Sequence, residues 1–172
     1  AAGALQFEAV LPEAPALAII GVRACDLAAL ALQDAHFLRE GRRDPHYAKR
    51  REQLFLVAVQ CAEPAATCFC ASTGDGPTPT AGYDLALSEL AEGFIVVAGS
   101  DKGRAVLAAL SLSPATSQQI EAARQQGVAA AAAQTRRLPG RNLRDALMSQ
   151  LEHPRWDAVA ARCLACGNCT AV

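Results

Sequence analysis

The sequence predicts an α/β fold, a small mixed sheet with flanking helices, with α+β as the neighbouring class. Two short apolar runs, Leu17 to Val22 and Leu54 to Val59, have the length and bounds of buried strands, and a helical pattern follows the first. A second pair of segments, Asp84 to Leu90 and Phe94 to Ala98, meets at Glu92 and Gly93 and is expected to pair antiparallel. Strand, helix and strand in alternation imply crossover connections, and the tight turn makes the sheet mixed.

Each element has a local reason. Pro15 bounds the first strand, and Asp26 stands where a helix N-terminus favours an acidic residue, with Leu27, Leu30, Ala31, Phe37 and Leu38 marking the apolar face. Cys25 then falls at the strand-to-helix turn, where the helix dipole is expected to lower its pKa. The basic stretch from Gly41 to Glu52 reads as a loop and short helix with a solvated face. After the second strand, Cys61 to Cys70 holds Pro64 and small residues that discourage regular structure, and Gly74 to Gly82 reads as a turn-rich surface loop, a plain connector in preference to a cover for the cysteine site. Ser100 is placed to cap a helix through Leu110, with Val106, Leu107 and Leu110 expected to face inward. Pro114 to Arg137 is expected as a long, Ala-rich surface helix, Asn142 to Leu151 as a shorter one, and Trp156 to Ala161 as a last turn.

The chain of 172 residues has 16 basic and 17 acidic residues, a net charge of -1, and seven cysteines. That balance gives no bulk electrostatic reason to expect nucleic acid or a membrane surface as partner. No apolar run approaches the ~20 residues of a membrane helix. Ala1 to Phe7 has neither the basic nor the apolar region of an export signal, so a cytoplasmic setting is expected. There is no G-x-G-x-x-G after a strand and no phosphate-binding G-x4-G-K-[ST]. His36, His46 and His153 show neither metal-ligand nor triad spacing.

The cysteines carry the chemistry. Cys163, Cys166 and Cys169 stand at C-x2-C-x2-C, the spacing with which one tight loop reaches three irons of a [4Fe-4S] cluster, and Gly167 suits such a loop through its freedom at positive φ. The next cysteine of the bacterial motif would fall just after Val172, so a fragment is expected. Cys25, Cys61, Cys68 and Cys70 fall in segments that follow two strands, at the sheet end where α/β scaffolds gather functional loops, and four thiols suffice for a further cluster. The expected organisation is an α/β domain over 1–154 with this four-cysteine site, then the truncated start of a ferredoxin-like dicluster domain over 155–172. Two alternatives stay open. Zinc could use the same thiols to stabilise an interaction module, although its structural sites usually pair two knuckles. Cys25 could instead be a nucleophile beside Asp26 for thiol or persulfide transfer.

The segments Gly21-Val22-Arg23-Ala24-Cys25-Asp26-Leu27, Cys61-Ala62-Glu63-Pro64, Thr67-Cys68-Phe69-Cys70 and Gly82-Tyr83-Asp84-Leu85, with the tail motif Cys163-x2-Cys166-Gly167-x-Cys169-Thr170, together resemble the iron-sulfur β subunit of sulfhydrogenase and its counterpart in anaerobic sulfite reductase. The resemblance covers nearly the whole chain. It implies a non-catalytic electron-transfer subunit of a hetero-oligomeric oxidoreductase. Such a subunit would carry [4Fe-4S] clusters between a flavin- and NAD(P)-binding partner and a catalytic hydrogenase or reductase subunit. Cys163, Cys166 and Cys169 map onto the first ferredoxin-type motif of that family.

Overall fold

The computed structural model describes residues 10–11, 13–140 and 142–167. They form two compact units, Ala1–Arg136 and Arg137–Val172. The first unit is built on a four-stranded sheet in the order β1-β2-β3-β4, with β1 Leu17–Val22, β2 Leu54–Val59, β3 Leu85–Leu90 and β4 Gly93–Ala98. The first three strands run parallel and β4 returns antiparallel beside β3. This is the mixed sheet expected.

β2 lies inside the sheet, and Leu56, Val57 and Ala58 are all buried. Because successive side chains leave a strand on opposite faces, three buried neighbours mean that both faces are covered, which is why the run is apolar throughout. Helix α1, Ala24–Phe37, lays Leu27 on Leu56, Ala58 and Ala86, with Val22, Leu30, Leu54 and Tyr83 packed around that cluster. β1, at the sheet edge, leaves Ile20 at 74% exposure. Its register with β2 slips between Ile20 and Val22, so Gly21, at φ +94°, is the bulged residue just before the turn into α1.

Helix α2, Pro45–Glu52, starts at Asp44, whose carboxylate accepts from the His46 and Tyr47 backbone N–H groups at 2.8 and 3.0 Å. Those hydrogen bonds hold the Asp44 carboxyl below its ordinary pKa. Helix α3 is a single turn, Cys70–Thr73, closed by Gly74 in the left-handed conformation. Helix α4, Asp101–Ala108, is capped by Ser100 as expected. Its inward face differs from expectation. Gly103 is buried, whereas Val106 and Leu110 are exposed, because the helix approaches the Asp84 carbonyl too closely for a side chain at that point.

Helix α5, Ser117–Ala132, is shorter than expected; it lies at the surface as expected, with one face buried. Thr116 caps it, and Gln119 reaches back to the Thr116 N–H at 2.9 Å, so the helix begins at Ser117 rather than Pro114. Ala123, Gly127 and Ala130 are buried along one face at helical spacing, a stripe of small residues that lets α5 come close to β3 and β4. In the second unit, α6 is Leu143–Met148, capped by Asn142, and α7 is Arg155–Ala160. No helix among the described residues is long and apolar enough to cross a membrane.

Candidate metal centre

β1 and β2 are parallel, so the segments that leave them emerge at the same end of the sheet. One leads through Arg23 into α1 with Cys25 in its first turn, and the other is the loop from Cys61 to Cys70. Three of the four expected thiols thereby come into one neighbourhood. The Cys25 thiol is pushed up from its ordinary pKa, first by partial burial, then by the Asp26 carboxylate, and then by Cys70 and Cys61. The lowered value expected from the helix dipole is overturned. Burial and adjacent negative charge outweigh the backbone hydrogen bond that acts in the other direction. An activated nucleophile would need the opposite shift.

Cys61, Cys68 and Cys70 are half-buried, and Cys25 is more open. The Cys68 N–H closes a turn on the Ala65 carbonyl at 3.0 Å, two residues before Cys70 begins α3. Two sulfurs receive N–H donors. Arg23 Nη1 approaches Cys61 Sγ at 3.8 Å, and Gln134 Nε2 donates to Cys70 Sγ at 3.2 Å. The 74–82 segment is part of this site rather than a plain connector. The Pro77 carbonyl accepts from the Cys61 N–H at 3.3 Å, Pro77 and Pro79 are buried, and a Cβ added to Gly76 would lie 3.1 Å from both Ala24 Cβ and Cys70 Sγ.

In the second unit, Cys163 and Cys166 are exposed free thiols on an irregular loop after α7. The Ala165 N–H donates to Cys163 Sγ at 3.4 Å, and Ala165 and Gly167 both take positive φ, +51° and +76°. The expectation for Gly167 is met. A loop with left-handed residues and a backbone N–H turned onto sulfur has the form needed to wrap a bulky anionic group. Cys169 lies outside the described residues.

Among the described residues, no three Cys, His, Asp or Glu side chains are drawn together tightly enough for a single metal ion. Tetrahedral zinc with thiolates at about 2.3 Å would need sulfurs less than about 4 Å apart. A cubane takes each thiolate on a separate iron, and so suits more widely spaced sulfurs. Thiols from separate segments, half-buried and partly supplied with N–H donors, fit the cluster's chemistry. Sequence reasoning missed Gln134, Arg23 and Gly76. The available signal for Gln134 was a lone amide directly after the alanine run Ala129 to Ala133.

No family model matches the chain, and no solved structure matches it. Among curated proteins, sulfhydrogenase 2 subunit beta of Pyrococcus furiosus is 31% identical over 156 residues, which is 90% of this chain. The chain is similar to this sulfhydrogenase β subunit over nearly its whole length and spans 46% of that relative's length. It presents the Cys25, Cys61 and Cys70 neighbourhood on the parallel part of its sheet.

Proposed function

We propose that the chain is an iron-sulfur electron-transfer subunit of a multisubunit oxidoreductase, passing electrons between a flavin- and NAD(P)-binding partner and a catalytic hydrogenase, sulfur reductase or sulfite reductase partner. The observation that carries this reading is the meeting of Cys25, Cys61 and Cys70, which are widely separated in sequence, at one end of parallel strands. Cys68, in the same loop, supplies the fourth thiol. Cys163, Cys166 and Cys169 hold a second cluster, completed by a ligand from outside the motif.

A [4Fe-4S] cluster supplies reversible one-electron chemistry at a potential set by its protein surroundings. The chain's own residues do the rest. The four inner cysteines would hold it, the Arg23 guanidinium would offset thiolate charge at Cys61, and Gly76, packed close to the Cys70 sulfur and followed by the buried Pro77, would limit water there. The relative's name, a sulfhydrogenase β subunit, supports assignment to a hetero-oligomer.

The test is anaerobic purification with iron and acid-labile sulfide analysis of the wild type, of Cys25→Ser and Cys70→Ser, and of Cys163→Ser. Broad visible absorption that bleaches with dithionite, and a loss of about four irons in the inner variants independent of the loss in Cys163→Ser, is expected. A colourless protein containing zinc would overturn the reading in favour of a structural module.

A further inference from the structure

Gln134 follows the C-cap residue Ala133 of α5 and is 5% exposed. A buried amide needs partners for both of its ends. Both are in the cysteine loop. Its Nε2 donates to Cys70 Sγ at 3.2 Å, and its Oε1 accepts from the Ala71 backbone N–H at 3.0 Å. The reversed amide would set an N–H against an N–H at Ala71, so the chemistry fixes which end faces sulfur. The middle of α5 is held by another buried amide, Gln60, whose Nε2 donates to the Ala123 carbonyl at 2.7 Å.

The geometry points to Gln134 as a positioning residue that raises the reduction potential of the inner cluster by donating an N–H to the Cys70 sulfur. The inference rests on the proposal that Cys70 is an iron ligand. Reduction adds one electron, and its negative charge spreads onto the ligating sulfurs. A donor already aimed at one sulfur stabilises that reduced state more than the oxidised one. The Gln134 amide is buried and the Cys70 sulfur half-buried, so the effect is screened less than at an exposed sulfur. Arg23 acts on Cys61 at a longer 3.8 Å and from an exposed position, so Gln134 is the stronger lever.

The full chain is reconstituted anaerobically as wild type, Gln134→Met, Gln134→Glu and Cys70→Ser, and titrated with dithionite under optical and electron paramagnetic resonance detection. The signal lost in Cys70→Ser identifies the inner cluster. Gln134→Met keeps the side chain's bulk and removes the donor. It is expected to keep its iron and to show a reduced-to-oxidised ratio three- to tenfold lower at the wild-type midpoint, tenfold being about 59 mV for a one-electron couple. Gln134→Glu keeps an acceptor for Ala71 and places a carboxylate oxygen at the sulfur, so its shift has the same sign and is larger. Iron retained with an unchanged ratio in both variants overturns the tuning role and leaves the cluster reading standing. Iron lost in both, with no shift in what remains, makes Gln134 a structural clamp only and also overturns it. A wild type without an inner signal overturns both readings.

Discussion

Gly127 of α5 faces Thr78 so closely that a Cβ on the glycine would overlap the threonine hydroxyl, and would also lie 3.3 Å from Gln60 Oε1. The helix that leads to Gln134 is thus seated on the same 74–82 segment that packs against Cys70. Gly127→Ala gains up to about 1 kcal/mol of helix propensity but overpacks this contact, at a cost of about 1–3 kcal/mol. A net loss of about 1 kcal/mol in urea denaturation is expected. The threonine can rotate or be shortened, so Gly127→Ala combined with Thr78→Ala should recover most of the loss, as a double-mutant cycle would measure.

Gly103 presents the contrasting case. A Cβ there would run into the carbonyl oxygen and carbon of Asp84, which are backbone and cannot rotate aside. Gly103→Ala is therefore expected to cost more than Gly127→Ala, about 3 kcal/mol, with no single partner substitution able to rescue it. Urea midpoints of the two alanine variants, compared at equal slope, check the order.

These two glycines also mark the limit of what the sequence discloses. β1 and β2 match their apolar runs to the residue, since the flanking Pro15 and Gln53 end the pattern sharply, but only β2 is the buried strand expected; β1, at the sheet edge, leaves Leu17, Ile19 and Ile20 exposed. The inward face of α4 departs from expectation, and the buried stripe of α5 escapes notice, for one reason. What they bury is Gly103 in α4 and Ala123, Gly127 and Ala130 in α5, which a search for large apolar residues passes over, while Val106 and Leu110 are large and exposed. The approach of Cys25, Cys61 and Cys70 was legible, since segments that follow neighbouring parallel strands emerge at one sheet end. Gln134 was not, because its tie to Cys70 spans 64 positions and leaves no local pattern. The 74–82 segment looked like a connector because Gly and Pro punctuate it, and the burial of Pro77 and Pro79 depends on the arrival of α5 and the cysteine loop.

Asp84 ties three elements together. Its Oδ2 accepts from the Leu56 N–H of β2 at 2.7 Å, and its Oδ1 accepts from the Ser100 hydroxyl at 2.5 Å, which in turn accepts from the Gly103 N–H at 3.0 Å to cap α4. Asp84→Asn can keep its oxygen on Leu56 and turn its NH2 toward the Ser100 oxygen, so a loss of about 1 kcal/mol is expected. Asp84→Ala leaves the Leu56 N–H without its acceptor inside the sheet and should lose about 2–3 kcal/mol. If both variants have the same urea midpoint, the carboxylate is not the joint described here.

Tyr47 gives the fold a basic limit. Its hydroxyl donates to Asp34 Oδ1 at 2.6 Å, and Arg51 Nε donates to the same carboxylate at 3.0 and 3.1 Å, tying α2 to α1. Burial first, and then the Asp34 hydrogen bond and charge, push the Tyr47 pKa from its ordinary 10.0 up to about 12, against a smaller opposing effect of Arg51. Between those two values the unfolded chain has released the phenolic proton and the folded chain has kept it, so unfolding releases a proton and stability falls as pH rises. The contribution is complete below pH 10.0 and is gone above about 12. Tyr47→Phe removes the titrating group along with the hydrogen bond, so it should be less stable than wild type at pH 8. The gap between the two should narrow steadily as urea midpoints are followed from pH 9.5 toward pH 11.5. A gap that stays constant across that range would mean that the Tyr47 proton is held no more tightly in the folded chain than in the unfolded one.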